Sequence, residues 1–533
     1  MLNKNIMRRN NIILVLFAYL ILGIFLLPIY RYQINADGIS YISIAQKYLD
    51  GDFKDAINGY WGPLFSWLLI PFLSIGLPSL LSCKILSLLI GLFLLYQYAY
   101  FLRKLNIQSN LFLLTLACSS LITLSFAFSV ITPDLLFAAI GILYLNLILD
   151  DVYLQDKRTS IFIGIVGGLL YLTKGYGLPF FITSFIVVTF FNIIKIDAKN
   201  WKIIISNFLI TFSVFGLISG SWILLISRKY GYFTFSTASY YNFLLTYPHS
   251  LGLPMHWMGL LSPPNCTAIS IWEDISFINV PIKHIDFYDR MLSFVKNFLS
   301  NSCNLSEILC KYSILSPILI LISIISFSKF GIENTNKKIF LVYLFMFILV
   351  VGYLVIIIES RYIWVSCFLL LAIGSYLLNC IYEIKWLRPI AIHFFTLIFF
   401  LSFCIHPIVK LYKNRFVRRN IFQISTQLEK MGIRGKIASD KNWGKTLYLS
   451  FYLHSQYFGE KGKANDIVFL QQVLANHIDY LFIYDLQRSK NILSSNDFKL
   501  ITKINYGKIK FAIYQNLLQS KKNCTYPLYQ DKI

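Results

Sequence analysis

Charge is what this chain has least of. Of its 533 residues only 14% are Asp, Glu, Lys or Arg, and the acids number 25. A soluble domain of that length needs a charged surface, so with 57% hydrophobic residues the chain reads as a polytopic membrane protein. The nine cysteines follow no metal-ligand spacing, which leaves no case for a structural zinc site. Cys83, Cys118, Cys367, Cys380 and Cys404 stand inside apolar runs and behave there as small hydrophobes. Cys266, Cys303, Cys310 and Cys524 fall in predicted outer segments, where the sequence does not reveal a disulfide pairing. A phosphate-cradling Gly-rich loop, a nucleotide-binding fingerprint, low-complexity tracts and internal repeats are all lacking. The lack of two related halves counts against a transporter built on repeats.

What is present is a series of apolar runs near the ~20 residues that a bilayer-crossing helix needs. Residues 1–10 carry Lys4, Arg8 and Arg9, and 11–30 are almost uninterrupted apolar. No small-x-small cleavage site precedes Arg31, so this reads as an uncleaved first span with its amino end in the cytoplasm. Further spans are expected at 79–102, 111–128, 132–149, 161–172, 178–194, 203–226, 314–327, 339–358, 362–381 and 389–408, about eleven in all. Between them lie two large outer loops, 31–78 and 228–311, the second broken by Pro248, Pro254, Pro263 and Pro264. Lys and Arg gather in the loops assigned to the cytoplasm, such as Arg103–Lys104 and Lys157–Arg158. An odd number of spans puts the termini on opposite sides. The expected architecture is thus an all-α membrane domain over 1–410 and a small extracytoplasmic α/β domain over 411–533. In the latter, strands are expected at 436–438 and 478–484, helices at 446–454 and 466–475, and a hairpin of 499–506 with 508–515 around Gly507. From Lys410 to Ile533 there are 21 Lys/Arg against 8 Asp/Glu. Such a surplus beside a bilayer favours anionic lipid headgroups or a polyanionic acceptor, although a Lys-, Asn- and Ile-rich composition explains it as well. No nucleic-acid partner is expected.

Four polar landmarks interrupt the greasy text: Asp37, Asp134, Lys174 and Arg361. Each falls at the outer end of a hydrophobic span. Ionisable groups at bilayer depth persist where they pair, line a polar cavity or do chemistry. Asp37 lies in Asn35-Ala-Asp-Gly-Ile-Ser-Tyr41, followed by Ala45 and Leu49 at helical spacing, and then Tyr60-Trp-Gly-Pro-Leu-Phe-Ser-Trp67. Thr132-Pro-Asp134 opens a span, Leu172-Thr-Lys-Gly175 closes one, and Glu359-Ser-Arg-Tyr362 precedes a late one. In this order, the set resembles the C-type glycosyltransferase superfamily, which includes the protein O-mannosyltransferases and the lipid A aminoarabinose transferases. Family members often show an Asp-Glu pair in the first motif and two prolines in the second, where this chain has Asp37-Gly38 and Gly62-Pro63.

The resemblance implies an enzyme that moves a sugar from a polyprenyl-phosphate donor to an extracytoplasmic acceptor hydroxyl on a lipid, glycan or protein, with inversion. The residue types fit that chemistry on their own terms. Asp37 is the expected general base, while Lys174 and Arg361 are placed to bind the departing phosphate. Asp134 would orient the acceptor or Lys174, and Tyr41, Glu359 and Tyr362 would shape the pocket. Plainer readings stand beside these: a helix cap for Asp37, a helix start at Thr132-Pro-Asp134, a snorkelling Lys174 and a structural Arg361–Glu359 pair. His249 and His256 share a loop with Glu273 and Asp274, but their spacing has no standard ligand geometry. No obligatory metal or other cofactor is expected, and a divalent cation near Asp37 stays open. The composition suggests a bacterial plasma (inner) membrane and an undecaprenyl carrier. A polysaccharide polymerase or ligase, and a transporter or flippase of lipid-linked sugars, are the alternative functions.

Overall fold

The structure is a computed structural model. It describes residues 2–150, 153, 155–193, 201–246, 258–278, 287–330, 335–384, 388–485, 487, 497–507 and 509–518. Helix α1 (Leu2–Tyr30) is followed by three shorter ones, α2 (Ala36–Leu49), α3 (Phe53–Ala56) and α4 (Pro63–Ser74). A helical run then follows: α5 (Ser79–Lys104), α6 (Ser109–Ser129), α7 (Asp134–Ile148), α8 (Lys157–Thr173), α9 (Gly177–Ile193) and α10 (Trp201–Tyr230). After α11 (Ala238–Thr246) come two 3-10 turns, Ile271–Glu273 and Ile275–Phe277. The membrane part ends with α12 (Phe287–Tyr312), α13 (Ser316–Phe330), α14 (Thr335–Leu354), a 3-10 turn Ser360–Ile363, α15 (Trp364–Ile384) and α16 (Pro389–Asn414).

The molecule is a polytopic helical membrane protein. Each of the expected spans coincides with one of these helices, but their lengths differ. Among the described residues seven helices are long and apolar enough to cross a bilayer, or eight if α12 and α13, bent by 105°, form one broken span. Helices α7, α8, α9 and α13 have 15, 17, 17 and 15 residues, short of the ~20 that span unaided. Burial divides the bundle. Helix α1 exposes Leu14, Phe17 and Phe25 as a lipid-facing helix does, whereas α5 packs against α1, α4, α6 and α7 near the centre.

The stretch 228–311 is not the helix-free loop expected. Its last proline is Pro281, and from Phe287 onward nothing breaks the 26-residue α12. Beyond α16, which continues through Lys410, α17 (Arg419–Lys430) leads into a five-stranded sheet. Its elements are β1 (Lys436–Ser439), α18 (Trp443–Tyr452), β2 (Gln456–Glu460), α19 (Asp466–Ala475), β3 (Tyr480–Ile483), β4 (Phe498–Tyr506) and β5 (Ile509–Asn516). The strand order is β2-β1-β3-β5-β4. Strand β1 pairs parallel with β2 and β3, and β5 pairs antiparallel with β3 and β4. The expected strands and helices are present, and β2 joins them.

This sheet does not end at its own edge. The segment before Trp272 lies along β2: Leu261 N donates to Phe458 O at 2.7 Å and Tyr457 N to Ile269 O at 2.6 Å. Gln456 Nε2 donates to the carbonyls of Asn265, Cys266 and Ala268. An open strand edge is thereby covered, and the C-terminal sheet is fastened to the loop that reaches the polar landmarks.

Candidate active site

Asn35 brings the two acids together. Its side-chain Oδ1 accepts from Ile131 N at 2.8 Å, and its Nδ2 donates to Ile131 O at 3.3 Å. This clasp places the first turn of α2, with Asp37, beside the first residue of α7, Asp134. The fit leaves no room at the neighbouring position, because a Cβ on Gly38 would lie 2.8 Å from Ile131 Cβ. The missing second acid therefore has a steric cause. Gly62 is equally constrained: a Cβ there would lie 2.4 Å from Thr173 O, so only glycine lets the first loop press against the end of α8, where Lys174 begins. Both glycines mark close contacts that assemble the site, Gly38 against the Ile131 side chain and Gly62 against the backbone of Leu172 and Thr173.

The four landmarks converge. Lys174, the residue just past α8, sets Nζ 2.7 Å from Asp134 Oδ1. Arg361, in the 3-10 turn before α15, donates from Nη1 to Asp37 Oδ2, from Nε to Glu359 Oε2 at 2.7 Å, and stands 3.9 Å from Asp134 Oδ2. Asp134 has 2% of its side chain exposed while Glu359 keeps 43%, so the network is buried on one side and open on the other. An unpaired carboxylate as deep as Asp134 would be costly, and the two cations answer it. Burial pulls the Lys174 ammonium below its ordinary value, against the pull of Asp134. Lys174 Nζ also sits 3.7 Å from the centre of the Tyr362 ring, a cation–π contact. Tyr362 stacks on Tyr353 at 5.0 Å. Tyr41, one turn after Asp37, is buried edge-on to Trp61 and Phe65 at 5.2 and 5.3 Å.

Some plainer readings give way here. Lys174 turns to an acid and a ring instead of snorkelling. Asn35 holds the N-cap position of α2, and the Asp37 carboxylate accepts from Arg361 and Trp272. The Arg361–Glu359 pair does exist, as one arm of a larger network. Two participants carry no signal in the sequence. Trp272 Nε1 donates to Asp37 Oδ1 at 3.2 Å, and Tyr353 backs the Lys174 pocket. Trp272 reaches Asp37 because its 3-10 turn is held by Glu273, ion-paired to Lys47 of α2 with both side chains 3% exposed. Asp274 accepts from Tyr230 at 2.7 Å and lies 3.6 Å from Lys229. Glu273 and Asp274 are thus committed to structural partners, and His249 and His256 lie outside the described residues. Both oxygens of Asp37 are engaged, by Arg361 and by Trp272.

No protein-family model matches the chain, and no curated protein matches it by sequence. Solved structures do. ArnT from Cupriavidus metallidurans, bound to undecaprenyl phosphate, superposes with a TM-score of 0.56 at 11% identity, over 95% of this chain and 98% of that one. The chain has the C-type glycosyltransferase fold. The Archaeoglobus fulgidus oligosaccharyltransferase in its apo form gives a TM-score of 0.56 at 11% identity, over 89% of this chain and 69% of that one. The same organism's AglB, in complex with an inhibitory peptide and a dolichol-phosphate, gives 0.52 at 12% identity, over 85% of this chain and 66% of that one. The fold shared with ArnT extends over nearly the whole chain.

Proposed function

We propose that the protein transfers a sugar from a polyprenyl-phosphate donor to an acceptor hydroxyl at the membrane face carrying Asp37. The observation that carries this reading is the meeting of Asp37, Asp134, Lys174 and Arg361, from four separate elements, in one half-open ion-pair network. Two C-type structures hold polyprenyl phosphates, undecaprenyl phosphate in ArnT and dolichol-phosphate in AglB. A phosphate monoester lipid needs fixed cations at the bilayer surface, and Arg361 and Lys174 are such cations.

The reaction balances with these residues alone. The acceptor O–H gives its proton to the Asp37 carboxylate as its oxygen bonds to the anomeric carbon. The bond from that carbon to the phosphate oxygen breaks, and polyprenyl phosphate leaves with the electron pair and inversion at carbon. Asp37 and Arg361 are paired before substrate arrives. A donor phosphate competes with Asp37 for the guanidinium, so donor binding itself frees the base. Asp134 stays on Lys174 and keeps that ammonium aimed at the leaving group, and Trp272 fixes the other oxygen of Asp37. No step is routed through a metal.

The test uses purified protein in nanodiscs, a panel of radiolabelled polyprenyl-phosphate sugars and membranes supplying acceptors, with Asp37→Asn beside the wild type. Label transfer that the folded variant loses supports the reading. Equal transfer by both proteins removes Asp37 as the base, and polyprenyl-phosphate binding that survives loss of both Lys174 and Arg361 removes the phosphate site.

A further inference from the structure

A second site lies away from this network, where α1 ends and α5 begins. A cavity of about 220 Å³ opens between Leu27 and Pro28 of α1, Leu80 and Leu81 of α5, and Phe422 of α17, with Arg31 at its rim. Pro78, Tyr32 and Tyr452 complete it, and the tyrosines tie it to the C-terminal domain: Tyr32 stacks on Phe422 at 4.9 Å, and Phe422 meets Tyr452 at 5.3 Å. The lining is almost wholly apolar, yet its surroundings are basic. Phe416 N donates to Ile29 O at 3.1 Å, which lays the turn between α16 and α17, with Lys413, Arg415, Arg418 and Arg419, against the same end of α1. No Asp or Glu occurs in residues 1–36, 56–133 or 384–428, the stretches that supply nearly all of this wall. Among the described residues Arg31, Lys413, Arg415, Arg418 and Arg419 enter no ion pair. Arg31 and Arg415 instead lie over tyrosine rings, and Arg418 donates to Ile34 O at 2.7 Å.

An apolar slot at the end of a lipid-facing helix, rimmed by cations without acids, matches one occupant in both halves. We propose that this cavity holds an acyl chain of an anionic glycerophospholipid, with its headgroup on Arg31 and the Lys413–Arg419 turn. The hydrocarbon fills a volume that would otherwise leave its lining without contacts, and the headgroup supplies the charge that the protein withholds. Such a lipid bridges α1, α5 and α17, so it clamps the C-terminal domain to the bundle. It also accounts for part of the basic surplus of residues 410–533, which the transfer chemistry leaves unused. The site is separate from the cations assigned to the donor, and the proposal does not depend on the transfer reaction.

Delipidated protein would be titrated with phosphatidylglycerol and with phosphatidylcholine of the same acyl chains, and retained lipid counted by native mass spectrometry. Wild type should hold one phosphatidylglycerol at least tenfold more tightly than phosphatidylcholine. Leu81→Trp, which fills the cavity, and Arg31→Gln, which removes the rim cation, should each weaken that lipid about tenfold. Their thermal unfolding without lipid should match the wild type; Leu27→Trp replaces Leu81→Trp if the latter misfolds. Undiminished phosphatidylglycerol binding in a folded cavity-filling variant would overturn the site. Equal retention of the two lipids would overturn its anion preference. Displacement of phosphatidylglycerol from this site by polyprenyl phosphate would overturn the assignment to a glycerophospholipid.

Discussion

Arg361 serves Asp37 and Glu359 at once and faces Asp134, which decides what its replacement does. Lysine keeps the charge but has one nitrogen where the guanidinium uses two, so the bonds to Asp37 and Glu359 cannot both survive. Arg361→Lys should lower kcat/KM by roughly 10- to 100-fold, mostly through the donor KM, the equivalent of losing a charged hydrogen bond worth about 1.5–3 kcal/mol. Steady-state kinetics with varied donor will check it. Asp37→Asn should lose about 10²–10⁴-fold in rate, as removal of a general base does, with a lower donor KM because the phosphate no longer competes with a carboxylate for Arg361. Trp272→Phe keeps an aromatic ring while deleting the indole N–H that donates to Asp37, so a smaller drop, about 3- to 10-fold in kcat, is expected in the same assay. The charged members of this site were legible because each stands alone in apolar text, where an ionisable group needs a reason. Trp272 was not, since a Trp among 46 Phe and 35 Tyr announces nothing until the chain folds. Gly38 and Gly62 read as departures from a pattern, and only the closeness of Ile131 and Thr173 explains them.

At the scale of elements, the site depends on a turn that has no apolar run of its own. Ile271–Glu273 is held over α2 by the Lys47–Glu273 pair, by Asn58 Nδ2 on Glu273 O at 2.7 Å and by Trp61 Nε1 on Trp272 O at 3.2 Å. Removing one member of a buried pair strands the other. Lys47→Met should therefore cost about 3–5 kcal/mol of stability, and Lys47→Met with Glu273→Gln should recover most of it. Unfolding midpoints of the three proteins in one detergent will show the pattern; equal losses in the single and double variants would count against a buried charge pair. Long apolar helices were readable because run length alone signals them. Helix α12 escaped because its 26 residues mix polar and apolar positions and follow a Pro-rich stretch. Strand β2 escaped because five residues containing Gly459, with φ +115°, carry too little alternation to register.

At the scale of the whole molecule, side-of-membrane assignments follow from where chain and charge gather. Asp37, Asp134, Lys174 and Arg361 share one face, and the 258–278 loop and the C-terminal sheet are fastened together on it through Gln456 and the Ser270–Tyr457 bridge. The turns joining α5 to α6 and α7 to α8 lie at the opposite ends of helices that begin on that face, and they carry Arg103, Lys104, Lys157 and Arg158. Lys and Arg concentrated in short loops mark the cytoplasmic side, so the active face is expected outside. Cys266 is exposed on the loop at the active face. In a variant whose other cysteines are replaced by serine or alanine, a membrane-impermeant maleimide should label Cys266 in intact cells. A cysteine substituted for Asn106, in the α5–α6 turn, should react only after the cells are broken. The reverse pattern would invert the topology and place the proposed transfer in the cytoplasm, where nucleotide sugars are at hand as competing donors. Labelling therefore tests the orientation directly and bears on the donor class through it, because a lipid-linked donor is required only on the side without nucleotide sugars.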